Sequence, residues 1–249
     1  MSTIDTVGVA DTSALPRRRQ GRRLEPRGVV DLRGDAAPPA VLAYPADAVV
    51  VVSGLPGSGK STVMERWSKT VPAIDPRAVH LACEAVMPDW LPYAAYRPWA
   101  RLRHFHRLRR QARRMSPLLV HDCGSRPWLR RWLARTAGRQ RRELHLVLLD
   151  VGADEAVKGQ EARGRWAPPR VFARHRRGLD RLLSALPGPG VARPGGTVIP
   201  APEVLAETAS VVLLDQTSRP HVAALTFGRN TPPRRASGAP ETRSGPLAG

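Results

Sequence analysis

Lysine is almost missing from this chain. Of its 40 basic residues only Lys60, Lys69 and Lys158 are lysines, and the other 37 are arginines. Carboxylates are scarce as well: 21 Asp and Glu leave a formal charge of +19. With so much Ala, Gly and Pro, this reads as a codon bias as much as an adaptation. A strongly basic surface still favours polyanionic partners such as nucleic acid, nucleotides or anionic membranes. Cysteine is limited to Cys83 and Cys123, which lack C-x-x-C spacing. That gives no support for a zinc site, and no disulfide can be read from it. No apolar run approaches the ~20 residues of a membrane-spanning helix. The first residues, MSTIDTVGVADTSALPRRR, lack the apolar stretch of a secretory leader. The expectation is a reduced, soluble, cytoplasmic protein with no membrane partner.

What is present is enough for one core. Residues 1–45 are rich in Pro, Arg, Gly and Ala, and 229–249 contain a single leucine and no aromatic. Segments of that kind bury too little apolar area to offset the entropy of ordering them. Both ends are expected to be disordered, leaving one domain at 46–228.

Within it, five apolar runs have strand length: 48–53, 71–74, 118–121, 144–149 and 210–214. They are continuous rather than alternating, as in strands buried on both faces of a parallel sheet. Helical patterns lie between them at 61–69, 98–115, 127–137, 154–163 and 171–186. The second of these carries Trp99, Leu102, Phe105, Leu108, Ala112 and Met115 at spacings of three and four. The third opens on Pro127 and is expected to stop at Gly138. Residues 187–202 (PGPGVARPGGTVIPAP) read as a flexible connection. Alternation of strand and helix predicts an open α/β sheet with right-handed crossovers.

The segment VVVVSGLPGSGKST (49–62) fits G-x-x-x-x-G-K-[ST] with Gly54, Gly59, Lys60 and Ser61. Gly54, Gly57 and Gly59 allow backbone angles that turn amide N–H groups, Ser58 among them, toward phosphate oxygens. The helix that follows, with Thr62 in its first turn, aims its positive end at the same anion. Lys60 is placed to reach the β- and γ-phosphates, and the Ser61 hydroxyl to ligate Mg²⁺. An arginine-rich chain that keeps lysine here is using a compact ammonium for a purpose. Binding of ATP or a close purine triphosphate follows.

Three aspartates, Asp122, Asp150 and Asp215, each end an apolar run, where an open α/β sheet presents side chains to a ligand. Asp122 has the separation from the loop expected of the carboxylate on the metal side. Asp150 and Asp215 read better as solvated strand ends or caps. Asp75 ends the second run, where an acid can take the proton of an attacking hydroxyl. Pro76 beside it keeps a turn-capping role open.

These residues together resemble the P-loop kinases grouped as AAA_33 or zeta-toxin-like, which include polynucleotide 5′-kinases and small-molecule phosphotransferases. The likeness rests on GLPGSGKST at 54–62, Asp75, HDCGSR at 121–126, GQEARGR at 159–165 and VFARH at 171–175. Many members carry Asp-x-x-Arg after the second strand, whereas here Asp75 is followed by Arg77. The resemblance implies a P-loop NTPase three-layer sandwich with five parallel strands in the order 2-3-1-4-5. It also implies a lid arginine pair contacting nucleotide phosphates, a role that falls on Arg163 and Arg165. The function it implies is Mg²⁺-dependent transfer of the ATP γ-phosphate to a small-molecule or polynucleotide hydroxyl. A nucleic-acid-binding ATPase and a nucleotide-binding regulatory module stand as alternatives.

The helical pattern at 98–115 and the one at 127–137 are lined with arginine, from Arg101 to Arg114 and from Arg130 to Arg135. They read either as a track for a nucleic-acid backbone or as solvated faces of an arginine-biased chain. Trp90, Tyr93, Tyr96 and Trp99 precede them, as bases' stacking partners or as packing for a lid.

Overall fold

The computed structural model describes residues 22–68, 71–88, 90–123, 126–164, 166–186 and 206–228. The expected connection at 187–202, the segments 1–21 and 229–249, Lys69 and Arg165 all lie outside them. The strands are β1 (Arg23–Leu24), β2 (Gly28–Asp31), β3 (Val41–Pro45), β4 (Val49–Gly54), β5 (Ala73–Ile74), β6 (Leu118–His121), β7 (Leu144–Leu149), β8 (Ser210–Leu214) and β9 (Ala224–Gly228). The helices are α1 (Lys60–Trp67), α2 (Pro76–Glu84), α3 (Tyr93–Ala112), α4 (Pro127–Arg139), α5 (Ala153–Glu161) and α6 (Pro169–Ser184).

The main sheet is parallel throughout, in the order β2-β8-β7-β4-β6-β5. Its last five strands are the five expected runs in the expected order, with the phosphate-loop strand β4 at the centre. Their side chains alternate between two cores, which is why the runs are apolar at every position. Val49, Val51, Leu146, Leu148 and Leu213 pack under α3, α4, α5 and α6, against Leu108, Leu133, Ala156 and Leu182 among others. Val50, Val52, Val147, Leu149 and Val212 face the other way. There they meet Val63, Met64 and Trp67 of α1, together with Leu42, Tyr44 and Leu225 of a second, three-stranded parallel sheet, β1-β3-β9.

Two expectations are corrected here. The sheet has six strands rather than five, and residues 22–45, assigned to a disordered segment, carry β1, β2 and β3. The averaged composition of that stretch conceals two short apolar runs, VVDL at 29–32 and VLAY at 41–44. The first adds an edge strand through the register Val29↔Val211. The second buries Leu42, Ala43 and Tyr44 at 0%, 3% and 3% exposure, so it has the apolar area its ordering requires.

Boundaries shift for local reasons. Helix α4 passes through Gly138 and ends where Arg141 takes a left-handed φ of 56°. The Arg142 N–H then returns to the Ala137 carbonyl at 2.9 Å, which satisfies one of the helix's last acceptors. The Arg142 guanidinium holds the carbonyls of Asp47, Ala112, Arg114 and Ser116 at 2.6–3.0 Å. This clamp fixes the end of α3 against the starts of β4 and β6.

Candidate phosphate-binding site

Strand β4 delivers the chain to the carboxyl edge of the sheet, and the loop 54–59 turns there into α1. Gly57 and Gly59 have φ of 90° and 82°, a region costly for any side-chain-bearing residue. Gly59 is the N-cap of α1, so the helix starts at Lys60 and its unbonded N–H groups face the loop. A Cβ on Gly54 would come within 2.8 Å of the Leu149 carbonyl, and one on Gly57 would overlap the Ala156 carbonyl. The loop is therefore pressed against β7 on one side and α5 on the other.

Lys60 is 4% exposed. Its ammonium donates to the carbonyls of Gly54 at 2.8 Å and Leu55 at 2.6 Å, with the Ser58 hydroxyl at 3.5 Å. Burial holds its pKa below that of an ordinary lysine, and the charges of Asp122 and Asp75 oppose the shift. The cation is thus folded back onto its own loop, in a place where an anion would serve it better.

Asp122 follows β6, the neighbour of β4, and is 4% exposed; the Ser53 hydroxyl donates to its Oδ2 at 3.4 Å. Asp75 follows β5, one strand further out, and its backbone carbonyl accepts from the Ala78 N–H at 3.2 Å where α2 begins. Both carboxylates act electrostatically on Lys60. The structure thus brings Lys60, Asp122 and Asp75 to one edge, while Asp75 also sits where a helix cap would.

The other two strand-end aspartates are engaged elsewhere. Asp150 accepts from Arg33 at 2.8 Å, and Arg33 is also held by Asp31 at 2.6 Å. Asp215 accepts from the backbone N–H groups of Gly34, Thr217 and Ser218 at 2.8–3.0 Å. These two fix β2 and the β8–β9 connection: Asp215 caps its own turn, whereas Asp150 is an ion-pair partner of Arg33 rather than a solvated strand end.

Arg163 lies two residues beyond α5, and its Nη2 donates to Thr62 Oγ1 at 2.8 Å. Arg219, which the sequence reading did not single out, donates to the Ser58 carbonyl of the loop and, at 3.1 Å, to Gln216. Gly57, Gly59, Arg66, Arg163, Arg219 and Pro220 border a cavity of about 530 Å³ between α1, α5 and the β8–β9 connection. Arg219 falls in a segment with no recognisable motif; only the fold brings it back to the loop.

Three histidines were also missed. His104 of α3, His121 of β6 and His175 of α6 each bury an Nδ1 that has no hydrogen-bond partner. Burial lowers all three pKa values; His121 is brought to about 4, with the Lys60 charge adding to the effect. His121 also feels Asp75 and His104, and His175 feels Asp122, so the three gather on the carboxylate side of Lys60. Neutral imidazoles with open ring nitrogens can donate to or accept from a hydroxyl. His121 and His175 fall within the HDCGSR and VFARH segments and His104 among the arginines of α3, but their approach to one another is visible only in the fold.

Among solved structures, the chain is similar to a gluconokinase from Sinorhizobium meliloti 1021 at 20% identity. That match covers 72% of this chain and 89% of the other, with a TM-score of 0.40. A tunicamycin resistance protein from Deinococcus radiodurans is similar at 15% identity, over 54% of this chain and 80% of the other, with a TM-score of 0.37. The PezAT toxin–antitoxin system of Streptococcus pneumoniae gives 14% identity, 49% and 53% coverage and a TM-score of 0.39. No curated protein matches the sequence. The model of the AAA domain family AAA_33 matches residues 49–183, from the phosphate-loop strand to the end of α6. That span is more than half of the chain and contains the phosphate loop with Lys60 as well as Asp75, Asp122 and Arg163, and so the protein belongs to the AAA_33 family of AAA domains.

Proposed function

We propose that this protein is a phosphotransferase that moves the γ-phosphate of ATP, as its Mg²⁺ complex, to a hydroxyl acceptor. The observation that carries the reading is the row of Asp75, Asp122 and Lys60 at the ends of three adjacent strands, β5, β6 and β4. Lys60 would exchange the carbonyls of Gly54 and Leu55 for β- and γ-phosphate oxygens, with the loop amides around Gly57 and Gly59 completing the cradle. The 530 Å³ cavity bordered by Arg219 and Pro220 has the size and position to take the base and ribose.

The donor set fits a hard divalent cation. Ser61 offers a hydroxyl and Asp122 a carboxylate, both oxygen ligands of the kind Mg²⁺ prefers. Among the described residues no cluster of three or more His, Cys, Asp or Glu side chains assembles, so phosphates and water would supply the remaining ligands. Bound there, Mg²⁺ would neutralise charge on the β- and γ-phosphates. Asp75 would accept the proton of the acceptor hydroxyl. His104, His121 and His175 would bind the acceptor, whose polar groups would satisfy their open ring nitrogens. Arg163 would stabilise charge on the transferred group from its place beside Thr62.

The test is transfer of label from γ-³²P-ATP to a panel of polyols, sugars, antibiotics and 5′-hydroxyl oligonucleotides. Labelled product that depends on Mg²⁺ and disappears in Asp75→Asn supports the proposal. ATP consumption that yields only labelled phosphate, whatever the acceptor, overturns it in favour of an ATPase.

A further inference from the structure

The positive charge of this protein is not spread over it. Residues 90–142 hold 15 arginines and a single carboxylate, Asp122, which accounts for 14 of the 19 net charges. The remaining 196 residues hold 25 basic and 20 acidic side chains. A codon bias alone would enrich arginine evenly and would not remove Asp and Glu from one stretch. Asp122 is itself buried beside Lys60, so it adds no negative charge to the outer surface of the two helices. Arg131 pairs with Glu207, from outside the stretch, at 3.7 Å. Two of the arginines, Arg130 and Arg142, are 7% and 5% exposed and belong to the interior. Neither α3 nor α4 contains an Asp or Glu, so the exposed arginines have no partner within their own helices.

The two helices form a groove. Both descend from the sheet's phosphate-loop edge, since α4 follows β6 and α3 ends beside the starts of β4 and β6, where Arg142 clamps it. Phe105 packs on Trp128 and Trp132 at centroid distances of 6.0 and 5.3 Å, and Gln140 donates to the Arg113 carbonyl at 3.1 Å. Between them runs a depression of about 360 Å³ lined by Arg109 and Arg113 on one side and Trp132, Thr136, Arg139 and Gln140 on the other. Near its upper end Trp128 is 53% exposed. Trp99, 43% exposed, carries the Arg103 guanidinium over its ring at 5.3 Å.

We propose that the α3–α4 groove binds single-stranded nucleic acid. Exposed guanidiniums on both walls match a string of phosphates, and arginine does so with paired N–H donors that lysine lacks. Exposed tryptophans among those charges offer flat apolar faces to unpaired bases, a contact that a duplex, with its bases stacked inside, does not supply. The arginine end of the groove lies toward the sheet edge opposite the phosphate loop. The surface is thus separate from the nucleotide site and stands whether or not phosphate is transferred to a hydroxyl.

The experiment is fluorescence anisotropy of the full chain with labelled oligo(dT) and oligo(rU) 20-mers at 50 mM salt and above. Inorganic polyphosphate and phosphatidylglycerol vesicles are the comparison ligands. If about six phosphates are neutralised, log K falls against log[salt] with a slope near −4 for a single strand. Arg109→Glu/Arg113→Glu/Arg139→Glu is expected to weaken binding by roughly 100-fold and flatten the slope. The same charge change on α6, Arg176→Glu/Arg177→Glu/Arg181→Glu, should leave most of the affinity. Trp128→Ala should cost about tenfold for the oligonucleotide and nothing for polyphosphate. Circular dichroism and binding of a fluorescent ATP analogue confirm that each variant folds. A Lys60→Ala protein that loses ATP but keeps oligonucleotide separates the two sites. Several results overturn the proposal: no oligonucleotide binding at 50 mM salt, an unchanged triple variant, polyphosphate binding as tight as oligonucleotide with no effect of Trp128→Ala, or binding to vesicles alone.

Discussion

Arg163 and Thr62 are 101 residues apart in sequence, yet the guanidinium Nη2 of one donates to the hydroxyl of the other at 2.8 Å. Thr62 follows Lys60 and Ser61 in the first turn of α1, so this bond brings a cation from the end of α5 to the rim of the phosphate loop. A charge in that place acts most strongly when negative charge shifts during transfer, and less on the bound ground state.

Arg163→Ala is accordingly expected to lower kcat at saturating ATP by ~100-fold or more, while KM for ATP moves only a few-fold. Arg163→Lys keeps the charge but loses the planar fork, and should recover only part of the rate. Steady-state kinetics on the labelled-ATP assay measure both. Near-native kcat in the alanine variant would leave Arg163 a surface contact of Thr62 and nothing more.

Lys60 and Asp122 should separate by what they hold. Lys60→Ala, and equally Lys60→Arg, which is too bulky for a space 4% exposed, should weaken ATP binding by ~100-fold or more with an unchanged circular dichroism spectrum. Asp122→Asn should raise the Mg²⁺ concentration needed for half-maximal turnover several-fold and alter ATP affinity little in the absence of metal. Calorimetry with and without Mg²⁺ distinguishes the two; identical behaviour would refute the division.

The central strands and their order were legible because their apolar runs have no polar interruption. The phosphate loop was legible because Gly54, Gly59, Lys60 and Ser61 form a contiguous pattern. The elements missed were of two kinds. Strands β2 and β3 are four and five residues long and lie among arginines and prolines, where a windowed composition dilutes them. Arg219 reaches the phosphate loop only through the fold, and His104, His121 and His175, from α3, β6 and α6, come together on the carboxylate side of Lys60 only in three dimensions. The end of α4 was misjudged because the left-handed position fell on Arg141, held in place by the hydrogen bonds of Arg142, rather than on Gly138.

Acid should destabilise the fold through His145. Its ring is 1% exposed, lies 4.7 Å from Tyr44 between centroids, and shares a 2.8 Å hydrogen bond at Nδ1 with Ser210 Oγ. Burial brings its pKa down to about 4, outweighing Glu143, whose carboxylate stands 3.2 Å from Nε2. With the folded value depressed from 6.5, the unfolded chain binds the extra proton between pH 6.5 and 4. Stability is therefore full above pH 6.5 and falls as the pH drops through that window. At pH 5 this one residue is expected to cost about 2 kcal/mol relative to pH 7.5. Urea midpoints at the two pH values measure the drop, and His145→Gln should shrink it. An equal drop in the variant would place the acid sensitivity elsewhere.

The closest packing at the candidate site is between two backbones, and it sets the last prediction. A Cβ on Gly159, in the last turn of α5, would overlap the carbonyl oxygen of Gly57 in the phosphate loop. Gly138, inside α4, has nothing within 4 Å of the same added atom. Taken alone, glycine to alanine in a helix stabilises by about 0.5–1 kcal/mol, because the unfolded chain loses freedom. Gly138→Ala should show that gain. Gly159→Ala receives it too, but must push α5 off the loop, and overpacking of this kind costs about 1–3 kcal/mol. The two variants should thus change stability with opposite signs in the same denaturant titration. Displacing α5 also carries Arg163 away from Thr62 and widens the space around Gly57, so Gly159→Ala should lower kcat as well. The loss in kcat should approach that of Arg163→Ala, with a weaker hold on ATP in addition. If Gly159→Ala proves as stabilising and as active as Gly138→Ala, α5 does not bear on the phosphate loop, and the placement of Arg163 by that helix falls with it.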